Sequence, residues 1–229
     1  KKLKENPAVE TIYCAPGNGG IAADAVCVPE IGAKDISAQV DFAKTHSIDF
    51  AVVAPDDPLV LGAVDALEAA GIPCFGPEAK AAIIEGSKVF SKDLMKKYGI
   101  PTAEYQVFTD AAAAMDYVKS CALPVVVKAD GLALGKGVLI AETREDAVAA
   151  VKSIMLDRAF GDSGNQVVIE EFLTGPEVSV LAFTDGKTVV PMVSSMDHKR
   201  AHDHDEGLNT GGMGTVAPNP YYTEDMARV

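Results

Sequence analysis

P-V-V-V-K-A-D-G-L-A-L-G-K-G, running from Pro124 to Gly137, decides how the rest of the chain is read. Val125, Val126 and Val127 have the β-branching and unbroken apolarity of a central strand, and Lys128 falls where that strand should emerge. A lysine at such a strand end calls for an anion. Gly131, Gly135 and Gly137 let the backbone approach a ligand closely, so that amide N–H groups can face phosphate oxygens, and Lys136 adds a second charge. The stretch is not a Walker loop. Three residues rather than four separate Gly131 from Gly135, and Gly137 replaces the hydroxyl residue that would hold magnesium. The same residues also fit a β-hairpin between strands 124–129 and 137–141 with solvated lysines, and a hairpin and a phosphate grip are compatible.

With 229 residues, 48% of them hydrophobic, the chain can bury one large core or two modest ones. Lys plus Arg number 20 against 33 Asp plus Glu, a formal charge of −13 that disfavours general nucleic-acid binding. Cys14, Cys27, Cys74 and Cys121 form no C-x-x-C pair and mostly sit in apolar segments, as expected of reduced, buried thiols in a cytoplasmic protein. No apolar run approaches the ~20 residues of a membrane span, and the basic start (Lys1, Lys2, Lys4) lacks the apolar core of a signal peptide. Neither nucleic acid nor a membrane is therefore expected as a partner. K-K-L-K-E-N-P reads as the end of an amphipathic helix before Pro7, so a segment ahead of it is expected.

In chain order, 9–15 reads as a strand, Asp35 to Thr45 as a helix and 49–54 as a second strand. One helix is expected from Pro58 to its closure at Gly71, followed by the short strand I-P-C-F-G. This is a parallel α/β layer, whose ligands belong at the turns P-G-N-G-G (16–20) and P-D-D-P (55–58). Gly17, Gly19 and Ala22 satisfy a dinucleotide fingerprint, but the residues after Ala22, A-D-A-V-C-V-P-E, do not read as a helix, so a nicotinamide-dependent oxidoreductase is a minor alternative. Helices are expected from Pro77 to Glu85 and again after Ser87 as N-cap, ending at Gly99. Lys88, just past that cap, suits either a plain surface or a phosphate.

From Tyr105 the pattern is strand, helix 110–120, the lysine-bearing strand, strand 137–141, helix 143–157 after Thr143, and strand 166–172, a small α+β unit. The polar loop 160–165 reads as a mobile flap or a plain connector. Consecutive carboxylates Glu170 and Glu171 must face opposite sides, one toward a ligand and the other toward solvent or a cation. A hairpin with an Asp185-Gly186 turn comes next, and then the long stretch 194–220 reads as irregular and functional. His198, His202 and His204 lie there among acids and raise a metal site, but Lys199 and Arg200 intrude, and a substrate loop is the preferred reading.

Taken in order, P-G-N-G-G, G-P-E-A-K-A-A-I-I-E-G-S-K, V-V-V-K-A-D-G-L-A-L-G-K-G-V, V-I-E-E-F-L-T-G-P-E, M-D-H-K-R and N-T-G-G-M-G resemble the glycinamide ribonucleotide synthetase (phosphoribosylamine–glycine ligase) family of the ATP-grasp superfamily. The resemblance implies an α/β fold: an N-terminal parallel α/β domain (1–82) for phosphoribosylamine, then an ATP-grasp α+β domain (83–229) with a small lid subdomain at about 103–172. It also implies ATP-dependent joining of glycine to 5-phosphoribosylamine through a glycyl phosphate. By that likeness Lys88 and Lys128 contact ATP phosphates, and Gly131 to Gly137, with Gly135 and Lys136, form the lid. Glu170, Glu171, Phe172 and Leu173 meet adenine, and Glu177 meets the ribose. Asn18 and Asp56 face phosphoribosylamine. Asp197, Arg200, Asn209 and Gly212 surround the glycine, with Lys128 and Arg200 as the catalytic pair.

Three departures from the family pattern stand out. Its opening strand with a G-x-G-G-R-E-H turn is missing ahead of Lys1. Its magnesium-binding Glu and Asn would follow Val229, so Mg2+ is expected with ligands outside this chain and no metal-binding residue is assigned within it. Pro55, Asp56, Asp57, Pro58 replaces the usual P-E-x-P. The alternative expectation is a nucleotide-binding fragment without catalytic activity.

Overall fold

The computed structural model describes residues 1–133, 137–210 and 212–228, and the chain divides into two units, Lys1–Phe172 and Leu173–Val229. In the first unit β1 (Tyr13–Cys14) pairs in parallel with β2 (Val26–Cys27), and β3 (Ala51–Val52) pairs in parallel with β4 (Cys74–Phe75). Between these pairs lies α1 (Ile36–Thr45), whose first turn is capped by Asp35 accepting from the Ala38 amide. The strands expected at 9–15 and 49–54 are thus two residues each, and β2, which has no alternating pattern to announce it, was not foreseen. The basic start forms a single 3-10 turn, Leu3–Glu5, rather than the end of a helix.

The helix expected after Pro58 is two helices, α2 (Asp56–Val60) and α3 (Ala63–Ala69). Gly62, at φ +83°, breaks them apart in a conformation that only glycine adopts freely. The break lets α2 pack on α4 (Ala79–Gly86), where Val60 sits so close that a Cβ on Gly86 would lie 3.0 Å from it. It also turns Ala63, Val64 and Leu67 into a small core with Ala43, Val53 and Ile72.

Ser87, Gly99 and Thr143 cap their helices where the sequence places them. Ser87 accepts from the Phe90 amide at the start of α5 (Lys88–Tyr98), and Gly99 ends that helix at φ +67°. Asp110 caps α6 (Ala111–Val118) and Thr143 caps α7 (Arg144–Met155). Strands β5 (Tyr105–Phe108), β6 (Val125–Ala129), β7 (Val138–Ala141) and β8 (Val167–Glu171) form one antiparallel sheet in the order β5-β8-β6-β7. The lysine-bearing strand β6 is therefore interior. Its Val125, Val127 and Ala129 pack with Val167 and Ile169 of β8 against α6 and α7, where Val118, Val151 and Ile154 are fully buried. Each such side chain contributes roughly 1.5–3 kcal/mol. Within loop 160–165, Gly161–Asn165 forms a 3-10 turn with Gly164 buried against the Ile154 carbonyl of α7.

In the second unit β9 (Ala182–Thr184) and β10 (Val189–Pro191) form the expected hairpin. Its turn is held by Asp185, whose carboxylate accepts from the Thr188 and Lys187 amides and is kept below its ordinary pKa by those bonds. Residues 194–220 are less irregular than expected. Strand β11 (Met196–Asp197) pairs with β14 (Thr215–Val216), and nested inside them β12 (Arg200–His202) pairs with β13 (Glu206–Asn209). Strands of two to four residues carry too little apolar alternation to be read from sequence. Buried Asn219 anchors this unit by donating to the Glu177 and Ser195 carbonyls. The four cysteines are free and half-buried rather than buried. Among the described residues no helix is long and apolar enough to cross a membrane.

Candidate functional site

Antiparallel pairing sets the chemistry of the sheet's second face. Lys128 stands opposite Val168 and Val126 opposite Glu170, so Val126, Lys128, Val168 and Glu170 all point away from the α6 and α7 core. Glu170 is the diagonal neighbour of Lys128, and their side chains meet at 2.9 Å. Across from them lies α5, whose Lys88, Ser91, Lys92 and Met95 follow i, i+3, i+4, i+7 spacing and so share one stripe. The stripe and the sheet face enclose a cavity of about 340 Å³, also lined by Ile84, Glu85, Leu132, Gly137, Val138 and Asp56.

Glu170 is 4% exposed and its Oε2 is shared by two ammonium groups, Lys128 at 2.9 Å and Lys92 at 3.0 Å. Its neighbour Glu171 faces the other way, is exposed and accepts from the Glu104 amide at 3.1 Å. The two carboxylates do take opposite sides, but the inward one meets cations within the chain itself. Lys92 and the lower stripe of α5 escaped the sequence reading. The signal was present in their helical spacing from Lys88, which places them on the same face.

Lys88 donates to the Gly131 carbonyl, which ties the start of α5 to the beginning of the glycine-rich loop. Gly131 sits at φ +108°, and a Cβ there would lie 2.6 Å from Ser163 Oγ. Asp130 completes the junction: it accepts from the Ser87 hydroxyl, the Val89 amide and Gln166. Its carboxylate thus neutralises orphan donors at the first turn of α5. Gly135 and Lys136 lie outside the described residues.

Burial pushes the Lys88 ammonium below the ordinary lysine pKa near 10.5. Asp130 opposes that shift and the neighbouring Lys128 charge adds to it. The unfolded chain therefore binds more protons than the folded one between the lowered value and 10.5, and stability rises with pH through that window. Lys88→Met is expected to abolish this rise and to unfold at a higher temperature than wild type at neutral pH. Thermal melts of both proteins from pH 7 to 10.5 check it; equal pH profiles would refute the burial cost.

Asn18, Glu171 and Phe172 are not among the described lining of the cavity. The Asn18 side chain accepts from the Gly20 and Ile21 amides and shapes its own turn. In the second unit Leu173 is exposed, and Glu177 is ion-paired with Lys199. That pairing raises the Lys199 pKa. Arg200 donates to the Gly207 carbonyl at 2.6 Å, and its backbone pairs with that of Asn209, whose side chain lies outside the described residues. Asp197 approaches Gly212, which sits at φ +110°. Among the described residues no group of three or more His, Cys, Asp or Glu is placed to hold a metal ion.

Residues 86–229 match the model of the phosphoribosylglycinamide synthetase ATP-grasp (A) domain, and residues 1–85 that of the N domain of the same enzyme. A curated phosphoribosylamine–glycine ligase from Listeria monocytogenes is 51% identical over 226 residues, covering 99% of this chain and 54% of that protein. One from Escherichia coli strain K12 is 50% identical over 226 residues, covering 98% and 53%. The crystal structure of phosphoribosylamine–glycine ligase from Thermotoga maritima superposes with a TM-score of 0.75 at 32% identity, covering 93% of this chain and 50% of that one. The family match and the shared fold place the chain in the ATP-grasp class. Within that class it belongs to the phosphoribosylglycinamide synthetase family, and it spans about half the length of the curated relatives it matches.

Proposed function

We propose that this chain serves an ATP-dependent carbon–nitrogen ligase that joins glycine to 5-phosphoribosylamine, giving glycinamide ribonucleotide, ADP and phosphate in purine synthesis. The observation that carries the reading is the convergence of Lys88 and Lys128 on one cavity beside Gly137 and Glu170. In the proposed reaction a glycine carboxylate oxygen attacks the γ-phosphorus of ATP and ADP leaves. The amine of phosphoribosylamine then attacks the acyl carbon of glycyl phosphate, phosphate departs and the nitrogen loses a proton. Both steps concentrate negative charge on phosphoryl oxygens. Lys88 and Lys128 supply fixed positive charge there, and a single preorganised donor of this kind typically contributes about 3 kcal/mol.

In this reading residues 1–82 form the phosphoribosylamine domain, with Asn18 and Asp56 toward that substrate. Residues 83–229 form the ATP-grasp domain, with 103–172 as its small lid subdomain and Gly131 to Gly137 closing over the phosphates. Residues Glu170 to Leu173 run along adenine and Glu177 reaches the ribose. Asp197, Arg200, Asn209 and Gly212 surround glycine, with Arg200 joining Lys128 in catalysis. The Mg2+ that accompanies ATP has no ligand set among the described residues, so the chain's own contribution to the phosphates is written through its lysines and loop amides. The setting is the cytoplasm, and the partners are these small molecules.

Calorimetric titration of MgATP into the 229-residue chain, with NAD as control, tests the nucleotide site. Saturable binding of ATP alone is expected, and glycine-dependent ADP formation tests the ligase step. Absence of any ATP binding would overturn the reading. Binding without turnover would favour a second one, a nucleotide-binding module without ligase activity.

A further inference from the structure

Lys92 is the most deeply buried charged group of α5, 7% exposed, and nothing in the proposed chemistry uses it. Its three donors are all engaged. Nζ lies 2.7 Å from Thr102 Oγ1, 3.3 Å from the Ala103 carbonyl and 3.0 Å from Glu170 Oε2, and it stands 5.5 Å from the centre of the Tyr105 ring. A cation held this way cannot swing out to meet a ligand. It shares one carboxylate oxygen with Lys128, which is 25% exposed at its side chain and opens into the cavity.

Charge counting gives this geometry a consequence. Among the described residues three lysines, Lys88, Lys92 and Lys128, and three carboxylates, Asp56, Glu85 and Glu170, line the cavity, so the formal charge of that described lining is balanced. Without Lys92 the balance turns negative. Among the described residues the buried Glu170 would then have Lys128 as its one ion-pair partner, and the pair would be neutral toward an incoming anion.

We propose that Lys92 is a positioning residue for polyphosphate binding: by sharing the Glu170 carboxylate, it leaves the charge of Lys128 available to the ligand. The proposal rests on the nucleotide reading above and deepens it. A merely structural lysine would affect all ligands alike, whereas a lysine acting through charge affects each ligand in proportion to its phosphates.

The test is a mutant cycle on the 229-residue chain, with ATP, ADP, AMP, adenosine and inorganic tripolyphosphate as calorimetric ligands. Lys92→Met is expected to weaken ATP about tenfold, ADP less and AMP least, with tripolyphosphate following ATP and adenosine unchanged. Adding Glu170→Gln to Lys92→Met removes both charges, keeps a side chain of the same shape, and should recover most of the loss. If Lys92→Met does not fold, the same charge is read on the other edge of the cycle, where Glu170→Gln should bind ATP about tenfold tighter than the double variant. Equal ATP affinity with and without Lys92 on either edge would overturn the proposal and leave the nucleotide site standing. So would a loss of the same size for every ligand. A wild-type chain that binds none of the five would sink the nucleotide reading and this proposal with it.

Discussion

Lys128→Met is expected to weaken ATP binding about a hundredfold while leaving the fold nearly unchanged, a loss in the range seen when one partner of a hydrogen-bonded charge pair is truncated in a binding site. The asymmetry arises from where the side chain sits. Lys128 lies on the cavity face of β6, next to residues that pack on the opposite face, and its stem can be replaced by the similar volume of methionine. The buried carboxylate it leaves is not abandoned, because Glu170 keeps Lys92 at 3.0 Å. A structural cost of about 1 kcal/mol is therefore expected, a shift of roughly 2–4 °C in the melting midpoint. Val127→Ala, one residue earlier and on the other face, should do the reverse: it empties a fully buried position at a cost of about 2 kcal/mol and leaves ATP affinity alone. Calorimetry and thermal melts on the two variants separate the faces. Equal ATP affinity in wild type and Lys128→Met would end the argument that β6 delivers a phosphate ligand.

That contrast also shows what the sequence could and could not disclose. Three valines, a lysine and a glycine-rich loop are local signals, and they led directly to an interior strand with its lysine at the cavity. Helix caps are equally local, which is why Ser87, Gly99 and Thr143 stand where they were read. The partner of Lys128 on the sheet is not local. Glu170 lies 42 residues away and becomes its diagonal neighbour only through the β6–β8 register, which no single strand encodes. Lys92 was hidden for a different reason: a lysine on an amphipathic helix is ordinarily solvated, and its burial depends on Thr102, Ala103 and Glu170 arriving from elsewhere. The break at Gly62 was missed because a glycine inside a helical pattern is usually tolerated, and only the packing of α2 on α4 decides otherwise.

The turn after α7 supplies the second large effect, this time on stability. Gly164 is buried in the 3-10 turn Gly161–Asn165, and a Cβ placed on it would lie 2.1 Å from the Ile154 carbonyl oxygen. That atom belongs to the backbone of α7 and cannot rotate aside, so the turn must lift off the helix or α7 must shift within the core built around Ile154. Gly164→Ala is expected to destabilise the chain by about 3 kcal/mol, lowering the melting midpoint by roughly 10 °C. Gly161 offers an internal control three residues earlier. A Cβ there meets nothing within 4 Å, and only its φ of +57° resists substitution, so Gly161→Ala should cost about 1 kcal/mol. The site should feel the first change and not the second. Ser163, between the two glycines, packs against Gly131, and Gln166, just beyond the turn, holds Asp130; displacing the turn would therefore loosen the junction from which Lys88 projects. Thermal melts and ATP titrations of the two variants test this, and similar losses in stability for both would mean that conformation alone, not the close approach to α7, fixes glycine at this turn.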